Sequence, residues 1–91
     1  MPVYIVTGAS KGIGKATVLE ALSKPNGKVV AVARSKELLV TLQEHAKTLG
    51  YSENCLQIVA GDVCEESTIS AAVDAAVSQW GQLDVVIANA G

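Results

Sequence analysis

A chain of 91 residues forms one small domain, in which roughly 60 to 70% of the unfolded chain's surface is buried. With 49% hydrophobic and 18% charged residues it lacks the signature of intrinsic disorder. A net charge of −2 without a basic cluster argues against nucleic acid or an anionic membrane as partner, and no apolar run approaches the roughly 18 residues that span a bilayer.

Val3 to Thr7 is a short, β-branched apolar run broken by Gly8, as expected of a strand buried on both faces. Ile13 to Ser23 then carries Ile13, Ala16, Thr17 and Ala21 near helical spacing, and the turn Lys24-Pro25-Asn26-Gly27 ends it. Lys28 to Ala33 is a second unbroken apolar strand. Ser35 is placed to cap a helix over Lys36 to Leu49, with Leu38, Leu39, Leu42, Ala46 and Leu49 on one stripe and Gly50 as its stop. Leu56 to Ala60 is the third strand. The cleanest amphipathic stripe follows between Ser67 and Trp80 (Ile69, Ala72, Val73, Ala76, Val77, Trp80), stopped by Gly81, and Leu83 to Ala88 is the fourth strand.

The order β-α-β-α-β-α-β implies right-handed crossovers and a parallel sheet. The expected fold class is therefore α/β: a Rossmann-type sheet of four strands and three helices, one domain over residues 1–91, equivalent to the first part of a doubly wound fold. The first two helices would cover one face, the third only part of the other, and the fourth strand's outer edge would be unpaired. Marginal stability or self-association, hence a homo-oligomer, is the expected consequence.

In such sheets ligands lie at the carboxyl ends of the strands. After the first strand comes Thr7-Gly8-Ala9-Ser10-Lys11-Gly12-Ile13-Gly14. Glycines at 8, 12 and 14 permit a tight turn and close approach of a pyrophosphate to the free amides of a helix start; a plain strand-to-helix connection uses the same residues. Arg34 stands 20 positions beyond Gly14, where an acid would hold a free ribose 2′-hydroxyl and a cation favours a 2′-phosphate. With Lys11 adding a second cation, NADP(H) is favoured over NAD(H). Asp62, after the third strand, would accept from an adenine amino group or serve as a cap or turn residue. Asn89-Ala90-Gly91 follows the fourth strand.

Together these strand ends resemble the short-chain dehydrogenase/reductase family over all 91 residues. Thr7-Gly8-x-x-x-Gly12-x-Gly14 is similar to its cofactor loop, Asp62-Val63 to its adenine contact, and Asn89-Ala90-Gly91 to its fourth-strand motif, although Ala88 stands where many members have Asn. The resemblance implies that Gly8, Ser10, Gly12, Ile13 and Gly14 line the phosphates and ribose, that Lys11 and Arg34 meet the 2′-phosphate, and that Asp62, Val63, Asn89, Ala90 and Gly91 flank the adenosine. It implies an oxidoreductase transferring hydride between a nicotinamide and a small carbonyl or alcohol substrate. The family's Tyr-x-x-x-Lys pair, Ser and Asn belong to a region downstream of Gly91. Neither Tyr4 nor Tyr51 has a Lys four residues later, so no catalytic residue is assigned, and an inactive nucleotide-binding fragment or pairing partner is the alternative.

The remaining residues carry blander expectations. Cys55 and Cys64 have neither secretory context nor a metal-ligand spacing, so free thiols and no metal are expected. Met1 to Ser10 lacks the features of a signal peptide, which points to a cytoplasmic protein. His45 reads as a surface side chain, Trp80 as core packing, and Glu65-Glu66 as complementing a helix start. A receiver-type signalling domain shares the alternation but needs an acidic cluster at the strand ends, where this chain has Thr7-Gly8 and Ala33-Arg34.

Overall fold

The computed structural model describes residues 2–9 and 12–89. In chain order it contains β1 (Val3–Thr7), α1 (Gly12–Leu22), β2 (Lys28–Ala33), α2 (Lys36–Thr48), a 3₁₀ turn (Glu53–Cys55), β3 (Leu56–Ala60), α3 (Glu66–Trp80) and β4 (Val85–Ile87). The strands form one parallel sheet in the order β3-β2-β1-β4, which is the expected α/β class.

The unbroken apolarity of β2 follows from its position between two layers. Val29, Ala31 and Ala33 face α1 and α2, in a core with Val18, Leu22, Leu39, Leu42 and Leu56. Val30 and Val32 face the other way, with Val3 and Ile5 against Ala72 and Ala76 of α3. Small alanines on α3 let that helix lie close to the valine-rich sheet. Trp80 packs at the margin of this second core, and its indole N–H donates to the Asn54 carbonyl at 3.0 Å.

Helix ends obey local chemistry. The Ser35 hydroxyl accepts from the Leu38 N–H at 3.2 Å. Gly50, at φ 96°, allows Tyr51 N–H to reach back to the Ala46 carbonyl and so closes α2. Glu66 lies in the first turn of α3, although Glu65 makes no side-chain cap. Cys55 and Cys64 are both free, and His45 is exposed.

The structure corrects several expectations: of the expected stripes, Leu38 and Leu49 of the second helix and Ile69 and Val77 of the third are exposed, and only Leu39, Leu42, Ala46, Ala72 and Ala76 are buried. The buried face of α1 is Gly14, Val18, Ala21 and Leu22, whereas Ile13 and Ala16 of the expected stripe are exposed. The rotation of this helix is set by the contact of Gly14 with the preceding loop rather than by its apolar periodicity. The fourth strand is confined to Val85–Ile87 instead of Leu83–Ala88, because Asp84 replaces ladder pairing at its start. The Asp84 N–H donates to the Val3 carbonyl at 3.0 Å, while its carboxylate accepts from the Val3 N–H at 2.8 Å.

Among the described residues β4 pairs with β1 alone and forms a sheet edge, with Val86 57% exposed. Val86 is in register with Ile5 and therefore shares its face with α3. Among the described residues no helix is long and apolar enough to cross a membrane.

Candidate nucleotide-binding site

Strand order reverses at β1: its successors β2 and β3 lie on one side and β4 on the other. Such a reversal leaves a crevice above the strand tips, because the connections leave in opposite directions. The glycine loop rises at this point.

Gly8 and Gly12 adopt φ of 62° and 60°, values that L side chains rarely tolerate. A Cβ on Gly12 would meet nothing within 4 Å, so the loop is open on that side. Gly14 serves the opposite purpose. A Cβ there would run into the Gly8 carbonyl and lie 3.1 Å from Ala9 Cα, so its bare Cα lets α1 press against the loop. Ala9 is fully buried and its N–H donates to the Val32 carbonyl at 3.1 Å, which pins the loop to the β2 tip.

The first turn of α1 carries no acidic residue, leaving the positive end of its dipole uncompensated. Ile13, apolar yet 78% exposed, projects from the same turn. A positive helix end beside open space over Gly12 is a place where an anionic group can be accommodated. Ser10 and Lys11, also expected here, lie outside the described residues.

Arg34 follows β2 with its side chain 80% exposed, and its Nη2 stands 3.5 Å from Asp62 Oδ2. The β3 tip is tied to β2 by the Gly61 N–H, which donates to the Ala33 carbonyl at 2.9 Å. Gly61 gives room to α3, since a Cβ there would come within 2.5 Å of the Thr68 hydroxyl oxygen.

Asp62 forms a local turn: Oδ1 accepts from the Cys64 N–H at 2.9 Å, and its carbonyl accepts from Glu65 N–H. The Cys64 amide bond, helped by the Arg34 charge and opposed by partial desolvation, holds the Asp62 carboxyl below the usual aspartate range. Asp62 is therefore a turn residue and a fixed anion at once. Val63 beside it is 42% exposed, leaving an apolar surface at the same strand tip.

On the other side of the crevice the Asn89 N–H donates to Thr7 Oγ1 at 3.1 Å, joining the β4 and β1 tips. The Asn89 side-chain Nδ2 is buried without a partner among the described residues. An orphaned buried donor costs on the order of 1–3 kcal/mol, so this amide is suited to an incoming acceptor. Ala90 and Gly91 lie outside the described residues.

Sequence reasoning missed Thr7 as the bolt between strand tips and Thr68 as the packing partner of Gly61. A threonine that closes a strand just before a glycine turn is the only sequence signal for the first; the second has none. A separate cavity of about 410 Å3 lies between α2 and the start of β3, lined by Val40, Lys47, Tyr51 and Leu56 among others. It sits at the far end of the sheet from the strand tips and contains none of the residues above.

The sequence model of the short chain dehydrogenase family matches residues 2–91. An 11-beta-hydroxysteroid dehydrogenase of Pinus massoniana is 38% identical over 89 residues, covering 98% of this chain and 24% of the relative. The crystal structure of glucose dehydrogenase of Caenorhabditis elegans in its apo form superposes with a TM-score of 0.89 at 33% identity, covering 99% of this chain and 38% of that one. A metagenomic short-chain oxidoreductase in complex with NADP gives a TM-score of 0.82 at 31% identity, covering 99% and 39%. The chain thus spans between about a quarter and two-fifths of the length of these proteins. With the glycine loop, the strand reversal and a family match running from Pro2 to the last residue in agreement, the chain belongs to the short-chain dehydrogenase family of oxidoreductases.

Proposed function

We propose that residues 1–91 are the NADP(H)-binding portion of an oxidoreductase that moves hydride between a nicotinamide and a small carbonyl or alcohol substrate. The observation that carries this reading is the start of α1. Gly14 seats the helix against Gly8, the space over Gly12 is open, and the helix begins beside the strand tip where strand order reverses. Gly8, Ser10, Gly12, Ile13 and Gly14 would hold the phosphates and ribose. Arg34 and Lys11 would meet the 2′-phosphate, and Asp62, Val63 and Asn89 to Gly91 would flank the adenosine.

The bound nicotinamide supplies the hydride chemistry. This part of the chain supplies binding and orientation: the helix dipole offsets phosphate charge, and the anchored strand tips keep the seat in shape. NADP(H) is favoured over NAD(H) because the β2 tip presents a cation and no acid. The relative described in complex with NADP supports the same choice.

Equilibrium titration with NADPH and NADH tests this reading. Tighter NADPH binding is expected, and Arg34→Asp should reverse the preference by on the order of tenfold or more, since it replaces attraction to a phosphate by repulsion. Equal affinities before and after the change would refute the cofactor assignment, and no saturable binding of either would refute the site. The alternative reading is a non-catalytic nucleotide binder or pairing partner. Binding without turnover of carbonyl substrates would support it.

A further inference from the structure

Arg34 does not stand alone at the β2 tip. Its Nη2 meets Asp62 Oδ2 at 3.5 Å across the two strand ends that would flank the adenosine. That separation exceeds the roughly 2.7–2.9 Å of a charge-assisted hydrogen bond, and the guanidinium is largely solvated, so the contact is loose and easily opened. The carboxylate, by contrast, is held from below. Oδ1 accepts from the Cys64 N–H at 2.9 Å, and the turn is continued by Glu65 N–H on the Asp62 carbonyl. When Arg34 turns elsewhere, the negative charge stays in place.

Resting on the cofactor reading above, we infer that Asp62 competes with the 2′-phosphate for Arg34 and so holds the preference for NADP(H) below the level Arg34 alone would set. Binding of the phosphorylated cofactor requires the Arg34–Asp62 pair to open and leaves a fixed carboxylate near a dianion. NAD(H), whose 2′-hydroxyl is neutral, leaves the pair intact. Any contact of Asp62 with the adenine is common to both cofactors and cancels in the ratio of their affinities. Asp62 is thus a specificity-determining residue that narrows discrimination.

The test is the ratio of NADPH to NADH dissociation constants for the parent chain and for Asp62→Asn, which keeps an Oδ1 for the Cys64 amide but removes the charge. Exposed ion pairs contribute at most a factor of about five, and loss of the adjacent like charge adds to it. A gain in NADPH preference of roughly three- to tenfold is expected, shrinking as salt screens both effects. Asp62→Ser, whose hydroxyl also accepts from a nearby amide, guards against a folding artefact and should move the ratio the same way.

An unchanged or lowered NADPH preference in both variants, with circular dichroism showing native helix content, overturns the inference. Arg34→Gln separates its failure from that of the cofactor reading. If Arg34→Gln abolishes the NADPH preference while Asp62→Asn leaves it untouched, Arg34 reads the phosphate and the competition is absent. If the parent shows no NADPH preference at all, both fall.

Discussion

Replacing Gly14 by alanine isolates the contact on which the proposed nucleotide seat depends. A Cβ at this position overlaps the Gly8 carbonyl, with Gly8 C at 2.6 Å and Ala9 Cα at 3.1 Å. All three neighbours are backbone, so no side-chain rotation relieves the clash and either α1 must lift or the loop must move. Overpacking of this kind costs about 1–3 kcal/mol. Alanine's better helix propensity returns at most about 1 kcal/mol, leaving a net loss of up to about 2 kcal/mol. For a domain of this size each kcal/mol lowers the melting temperature by roughly 4–8 °C, so a fall of up to roughly 15 °C is expected. Thermal unfolding followed by circular dichroism reads it, and an NADPH titration should show weakened binding because the displaced loop carries Gly8. Gly12→Ala is the matched comparison: it adds a Cβ with nothing within 4 Å and acts only through its φ of 60°, at a cost of about 1–2 kcal/mol. If Gly14→Ala melts at or above the parent and binds NADPH unchanged, the close helix-to-loop contact is not what shapes the seat.

Gly61→Ala should destabilise the chain through the Thr68 side chain, whose oxygen and methyl carbon would lie 2.5 and 2.9 Å from the new Cβ. Adding Thr68→Ala should recover part of the loss, giving a coupling of about 0.5–3 kcal/mol in a double-mutant cycle; strict additivity would disprove the contact. Asp62 should titrate below the usual aspartate value, as the Cys64 amide and then Arg34 favour its charged form. Because the folded-state value is the depressed one, its contribution to stability is present above the unfolded-state pKa and lost as pH falls through the folded value. A carboxyl NMR titration with a midpoint at or above the ordinary aspartate value contradicts this. The edge of β4, unpaired among the described residues, should support concentration-dependent self-association of these 91 residues, which Val86→Lys on its exposed face should reduce. Sedimentation showing a sharp monomer boundary for the parent at all concentrations refutes it.

The alternation of elements was legible because each strand is a short, mostly apolar run ended by glycine or a polar residue, a pattern set by residue type and spacing alone. β1, β2 and β3 occupy the expected spans for that reason. The glycine loop and Arg34 were legible too, since a tight turn, a helix start and a cation 20 residues on are local features of the chain. Other features required contacts between segments far apart in sequence. The rotation of α1 depends on Gly14 touching Gly8, which overrides the apolar spacing of Ile13 and Ala16. The shortening of β4 depends on Asp84 reaching Val3, and the anchoring of the β4 tip on Asn89 reaching Thr7. The pairing of Arg34 with Asp62 exists only because β2 and β3 are neighbours in a parallel sheet and end side by side. Periodicity and turn chemistry are properties of adjacent residues and can be read along a line. Which face a helix buries, where a strand stops and which charges meet are decided by close packing between distant segments, and the tertiary structure alone supplies them.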